Sequence, residues 1–220
     1  TIVKNISDLN PQIREEVTHG NTPNELYDKR NVLIDKLSKI ANIKVTTTPE
    51  KISEDLTIEN LNISIYDPKS GTSIGVVSNG LYNTLNASMN KTTNKMEIKI
   101  NSSFGGYSGD ITSHFSGGSI KGHLDLINGE GTYAGAGGNT FRGTLYYEHA
   151  MDTFASNFAR ALNDINSLGG TRKPLFMASG DTDPETSPDP ITARNITISS
   201  AGLKNSTYIT TTTSTASTGS

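Results

Sequence analysis

One run of residues limits the folds open to this chain more than any other. Between Arg142 and Leu168 (RGTLYYEHAMDTFASNFARALNDINSL) the residues Tyr147, Met151, Phe154, Phe158, Ala161, Ile165 and Leu168 step alternately by four and three. This is the spacing of an apolar helical seam. No Gly or Pro falls between Thr144 and Leu168, and Gly169-Gly170 is a stop signal. A seam of this length needs partner helices, and the remainder of the chain is the first place to look for them.

The segment 2–18 reads as helix, with Val3, Ile6, Leu9, Ile13 and Val17 along one side. Pro11 falls inside that pattern, where it either kinks one helix or opens a second behind Asn10. Gly20-Asn21 breaks the pattern. Thr22 is the expected N-cap of the next helix, with Pro23 at its first position and Glu25 three residues after the cap. That helix extends to about Ala41, with a seam of Leu26, Leu33, Leu37 and Ile40. The two segments form an αα-hairpin, and together with a short helix from Ser119 to Asn128 they are the expected partners of the long seam.

The period changes at Ile43. Residues 56–67 alternate, with Leu61, Ile63 and Ile65 on one face. Asp67-Pro68-Lys69-Ser70-Gly71 is a turn, Ser73–Ser78 a returning strand, and Asn79-Gly80 a hairpin signal. Further strands are expected over Leu81–Met89 and Lys95–Asn101. Residues 129–143 (GEGTYAGAGGNTFRG) read as a flexible, glycine-rich loop. Beyond Gly170 the pattern is irregular apart from one short strand at Ile196 and Ile198, and residues 210–220 are low in complexity. The expected fold class is α+β. Residues 1–43 and 117–169 make an antiparallel helical bundle, 44–116 an inserted small antiparallel β-domain, and 170–220 an irregular or β segment. On this plan the long seam closes inside the chain, and Phe158→Asp destabilises it by several kcal/mol through a buried charge.

The residues propose no chemistry. His19, His114, His123 and His149 do not pair at metal-ligand spacing, and neither HExxH nor CxxC occurs. Gly129-Glu130-Gly131 lacks the spacing of a phosphate loop. Asp181, Asp183 and Glu185 begin like a calcium loop, but Thr186 and Thr192 stand where Gly and Glu are required. Gly71-Thr72-Ser73-Ile74-Gly75 has the G-x-S-x-G spacing, but it leads from a turn into a strand and not from a strand into a helix, so it is no nucleophile elbow. No catalytic, cofactor-binding or metal residue is therefore expected, and no cofactor. The formal net charge of −3 opposes a nucleic-acid or acidic-membrane partner. There is no run apolar enough for a membrane helix.

Three stretches in order resemble one family, the flagellar hook-associated protein of the hook–filament junction, FlgK. Over residues 6–45 the similarity is carried by Leu9, Asn10, Gln12, Ile13, Asn24, Leu26, Asp28, Arg30, Leu33, Ile34, Leu37 and Ser38. Residues 61–81 resemble its strand, Gly turn and following strand. Residues 117–127 resemble a Gly-Gly segment of that family at Gly117, Gly118, Ile120, Gly122, Leu124 and Asp125. Residues 161–166 are similar to the end of its core helix, and 191–198 to one of its strands. Pro11 and the Gly-rich loop at 129–143 depart from the pattern.

The resemblance implies a non-enzymatic structural protein of the bacterial flagellum, extracellular, assembled as a layer between hook and filament. Its neighbours would be copies of itself, the hook protein and the second junction protein. It also implies an excised middle portion, without the terminal polymerising helices, and hence a monomer in solution. Two other readings stay open from the residues alone: a surface adhesin or glycan-binding module using the Thr/Asn-rich strands, and a flagellin-type filament protein.

Overall fold

A computed structural model describes residues 1–54, 56–167, 172–181 and 190–210. The chain falls into two compact units, Thr1–Gly129 and Glu130–Ser220. The class is α+β, with helices and antiparallel sheets in both.

The first unit opens with helix α1 (Ile2–Thr18), which stays continuous through Pro11, and helix α2 (Asn24–Ile40). Pro23 occupies the N-cap position of α2, without a side-chain cap bond, so the expected Thr22 cap is not formed. Strands β1 (Ile43–Lys51), β2 (Thr57–Asp67), β3 (Thr72–Ser78) and β4 (Leu81–Tyr82) form one sheet in chain order. Strands β5 (Thr84–Asn90), β6 (Lys95–Asn101) and β7 (Gly109–Asp110) form a second. Helix α3 (Gly118–Asn128) closes the unit.

The expected single strand over Leu81–Met89 is two strands in different sheets. Asn83 divides them. It is buried, its Nδ2 donates to the Gly75 carbonyl (2.9 Å) and its Oδ1 accepts from the Ser103 N–H (2.7 Å). Those bonds hold the backbone at the point where it leaves one sheet for the other.

The helical hairpin and both sheets share one core. Ile6, Leu37 and Ala41 from the helices lie in the same cluster as Leu61, Ile63, Ile65, Val76, Ile98, Ile100 and Leu124. The alternation of β2 explains its part: Leu61, Ile63 and Ile65 face inward while Asn60, Asn62 and Ser64 on the other face do not. The turn after β2 forms as its residues dictate. Asp67 accepts from the Lys69 N–H (3.0 Å) and from the Ser70 hydroxyl (2.6 Å), and Gly71 supplies the positive φ of 72°. The hairpin turn places Asn79 at φ 50°.

The second unit contains helix α4 (Thr144–Asn166), strands β8 (Phe176–Ala178) and β9 (Ile196–Ile198), which pair antiparallel, and the short helix α5 (Ser200–Lys204). Only β9 among the last three was anticipated. Asp183, Glu185, Thr186, Leu168 and the low-complexity residues 211–220 lie outside the described residues.

Candidate functional site

Helix α4 presents two faces of opposite character. Toward the rest of its unit it turns Leu145, Ala155, Ala159 and Asn166, all buried. The apolar seam lies roughly a third of a turn away around the helix. Its large members are open to water: Tyr147 62%, Met151 56%, Phe154 65%, Phe158 44% and Ile165 58% exposed. Within its own unit the seam is thus left largely uncovered, Phe158 alone meeting Phe176. A count of apolar residues favours the stripe with the largest side chains. The face that packs uses small residues and two asparagines instead.

Those asparagines do the fastening. Asn163 accepts from the Phe176 N–H (2.8 Å) and donates to its carbonyl (2.9 Å). Asn166 donates to the carbonyls of Lys173 (2.7 Å) and Tyr208 (3.0 Å) and accepts from the Thr210 N–H (2.6 Å). Residues 172–210, where described, thus return along α4 through side-chain-to-backbone bonds, a role no local pattern announces. Phe158 stacks on Phe154 with ring centroids 6.1 Å apart and meets Phe176 at 5.4 Å. Because Phe158 remains nearly half exposed, Phe158→Asp in this chain is expected to change stability by no more than about 1 kcal/mol, as a chemical denaturation curve will show.

The loop before α4 is fixed rather than open. The Glu130 and Gly131 N–H groups donate to the carbonyls of Asn139 (2.9 Å) and Phe141 (2.8 Å). Tyr133 packs against Tyr146 and His149, and His149 Nε2 stands 3.7 Å from Glu130.

In the first unit, side chains from α1 and α2 lock the helical hairpin onto the four-stranded sheet. Asn10 donates to the Asn79 carbonyl (2.6 Å) and accepts from Arg30 (3.0 Å), whose guanidinium also lies over the Tyr27 ring. Pro11 packs so closely on the Asn79-Gly80 turn that a Cβ on Gly80 would come within 3.0 Å of its ring. Pro11 is thus accommodated in α1 and meets the turn at Gly80, which carries no side chain. Arg14 makes a two-bond pair with Glu50 (2.5 and 2.9 Å), and Asn60 donates to the same carboxylate (2.7 Å).

The Arg14 guanidinium and the Asn60 amide hold Glu50 down from its ordinary 4.5 to about 2. A lowered carboxylate contributes stability that is fully present above 4.5 and is lost as pH falls toward 2. Glu50→Gln is expected to lower the melting temperature near neutral pH. The gap between variant and parent closes as the pH approaches about 2. Melting curves across that range check this.

Among the described residues no group of three or more His, Asp or Glu converges to hold a metal. His19 sits at the C-terminal end of α1, and His123 borders an apolar cavity between α3 and β5–β6. His114 follows β7, and His149 lies in α4. Among the described residues no helix is long and apolar enough to cross a membrane. The surface feature with the clearest chemical character is the row of aromatic and aliphatic side chains along α4.

Comparison with known proteins points the same way. Residues 1–175 match the family model of the flagellar hook-associated protein FlgK helical domain. Flagellar hook-associated protein 1 of Bacillus subtilis (strain 168) is 27% identical over 196 residues, an alignment that covers 84% of this chain and 37% of that protein. The chain therefore spans little more than a third of the length of that relative.

Proposed function

Because the chain belongs to the family of the flagellar hook-associated protein FlgK helical domain, we propose that it is part of a structural protein of the bacterial flagellum that joins hook to filament as an assembled layer of subunits. It acts outside the cell and without catalysis. Its neighbours are copies of itself, the hook protein and a second junction protein. The name of the Bacillus subtilis relative supports a hook-associated role.

The observation that carries the reading, beside the family, is the exposed seam of α4. Soluble single-chain domains rarely leave contiguous large apolar groups facing water, and such a surface marks a contact with other protein. An apolar seam at this spacing suits helical neighbours, which make the finer arrangement an antiparallel helical bundle completed in the assembled structure. The lack of a converging reactive cluster among the described residues is compatible with a structural role.

Electron microscopy of cells lacking the full-length gene tests the proposal. Basal bodies with hooks but without attached filaments are expected. Attached filaments of normal length and number in the deletion strain would remove the junction role.

A further inference from the structure

The three-stranded sheet ends on an uncharged strand. β5 (TLNASMN) is its outer strand and, among the described residues, pairs only with β6. Six of its seven residues are exposed. The outer strand of the other sheet, β1, carries Lys44, Pro49, Glu50 and Lys51. Charge and proline are the usual means of keeping an edge from pairing with another chain. β5 has neither, so its backbone edge is open to strand addition.

The strand also suggests its own partner. Leu85, Ala87 and Met89 stand opposite Ile100, Ile98 and Met96 of β6, so all six share one face, and Asn86 and Ser88 share the other. The order apolar, polar, apolar, polar, apolar reads the same from either end. Antiparallel pairing of two copies about Ala87 brings all seven residues into register. Leu85 then faces Met89 of the partner subunit, Ala87 faces its own counterpart, and Asn86 faces Ser88 of the partner subunit. A slip of one residue would set apolar against polar faces. Leu85 and Ala87 are also walls of the apolar cavity of about 310 Å³ that Met96, Ile98, Ile120 and Leu124 line, and the added strand covers that side.

We infer that β5 is a self-complementary edge through which two copies of the free chain pair as a twofold, six-stranded sheet. A twofold contact closes on itself and cannot propagate a layer of subunits that all point the same way. The pairing therefore belongs to the unassembled chain, where it covers an edge prone to aggregation, and it opens on assembly. Its assignment to the unassembled chain rests on the proposed layer, whereas the pairing itself does not. With a single short strand on each side it forms at high concentration and leaves the chain monomeric when dilute.

The chain contains no cysteine, so one introduced thiol reports alone. Ala87→Cys sets two thiols on the twofold, within disulfide reach for opposed strand positions. At a few hundred micromolar under a mild oxidant, A87C is expected to form a disulfide dimer roughly tenfold faster than Thr47→Cys, placed on the exposed surface of β1. Leu85→Cys and Met89→Cys chains are expected to cross-link with each other when mixed and not with themselves. Adding Asn86→Lys and Ser88→Lys to A87C puts lysine against lysine across the edge. It is expected to abolish the cross-link and leave the melting temperature unchanged, both residues being exposed. Equal rates for A87C and T47C, or a cross-link indifferent to the two lysines, overturns the inference.

Discussion

Gly118→Ala is expected to destabilise the chain by at least about 3 kcal/mol. Gly118 opens helix α3 at φ +78°, a conformation that an L side chain enters only with strain. The space is closed as well. A Cβ there would lie 2.4 Å from the Ile40 carbonyl oxygen and 2.6 Å from the Ala41 nitrogen. Both are backbone atoms at the end of α2, and Ala41 belongs to the core, so neither can move aside cheaply. Gly117 is crowded by the Asn42 side chain in the same corner. Four residues along, Gly122 has nothing within 4 Å of its added Cβ. Gly122→Ala is therefore expected to stabilise by about 0.5–1 kcal/mol, the ordinary helix preference for alanine. Urea denaturation of both variants separates a close-approach glycine from a merely tolerated one.

The second large effect concerns the middle of the shared core. Ile63 is fully buried on β2, between Val45 of β1 and Val77 of β3. Ile63→Ala removes three methyl or methylene groups from a site whose neighbours are held by two strand pairings, and a loss of about 2–5 kcal/mol is expected. Val45 is 40% exposed on the outer strand, and Val45→Ala is expected to lose less than about 1 kcal/mol. If the helical hairpin and the sheets had separate cores, Ile63→Ala would melt the sheets and spare the helices. With Ile6 and Leu37 in the same cluster, a single transition by circular dichroism and by tyrosine fluorescence is expected for both parent and variant across this unit.

Much of this fold is legible in the sequence because its signals are local. The 3.6-residue period of α1 and α2, the alternation of β2, the Asp67 turn and the Asn79-Gly80 hairpin each declare themselves within a dozen residues. The Gly117-Gly118 pair was visible too, although its reason, the approach of α2, is not.

What stayed hidden depends on distant partners. Asn83 splits one apparent strand into two because it finds partners at Gly75 and Ser103. β8 and α5 carry weak propensity, and the segment that contains them is drawn back along α4 by Asn163 and Asn166. The apolar positions of α4 are legible from spacing, and its own unit leaves them uncovered. Large apolar residues at seam spacing show that a partner exists, and spacing alone does not say whether that partner is in the same stretch of chain. No residue was proposed for catalysis or metal binding. The residues singled out by family resemblance, Asn10 and Arg30 among them, turn up as fasteners between the helical hairpin and the sheet.

The central claim is that the α4 seam is a surface for assembly and not part of the core of this chain. The most direct test places Phe154→Ser with Phe158→Ser in the full-length gene and returns it to a deletion strain. Filaments attached to hooks are counted by electron microscopy, and the melting temperature of the doubly substituted 220-residue chain is measured alongside. The account predicts a chain whose melting temperature is little changed, a protein recovered in the medium, and hooks without filaments. Normal numbers of attached filaments on cells carrying the double substitution would contradict it.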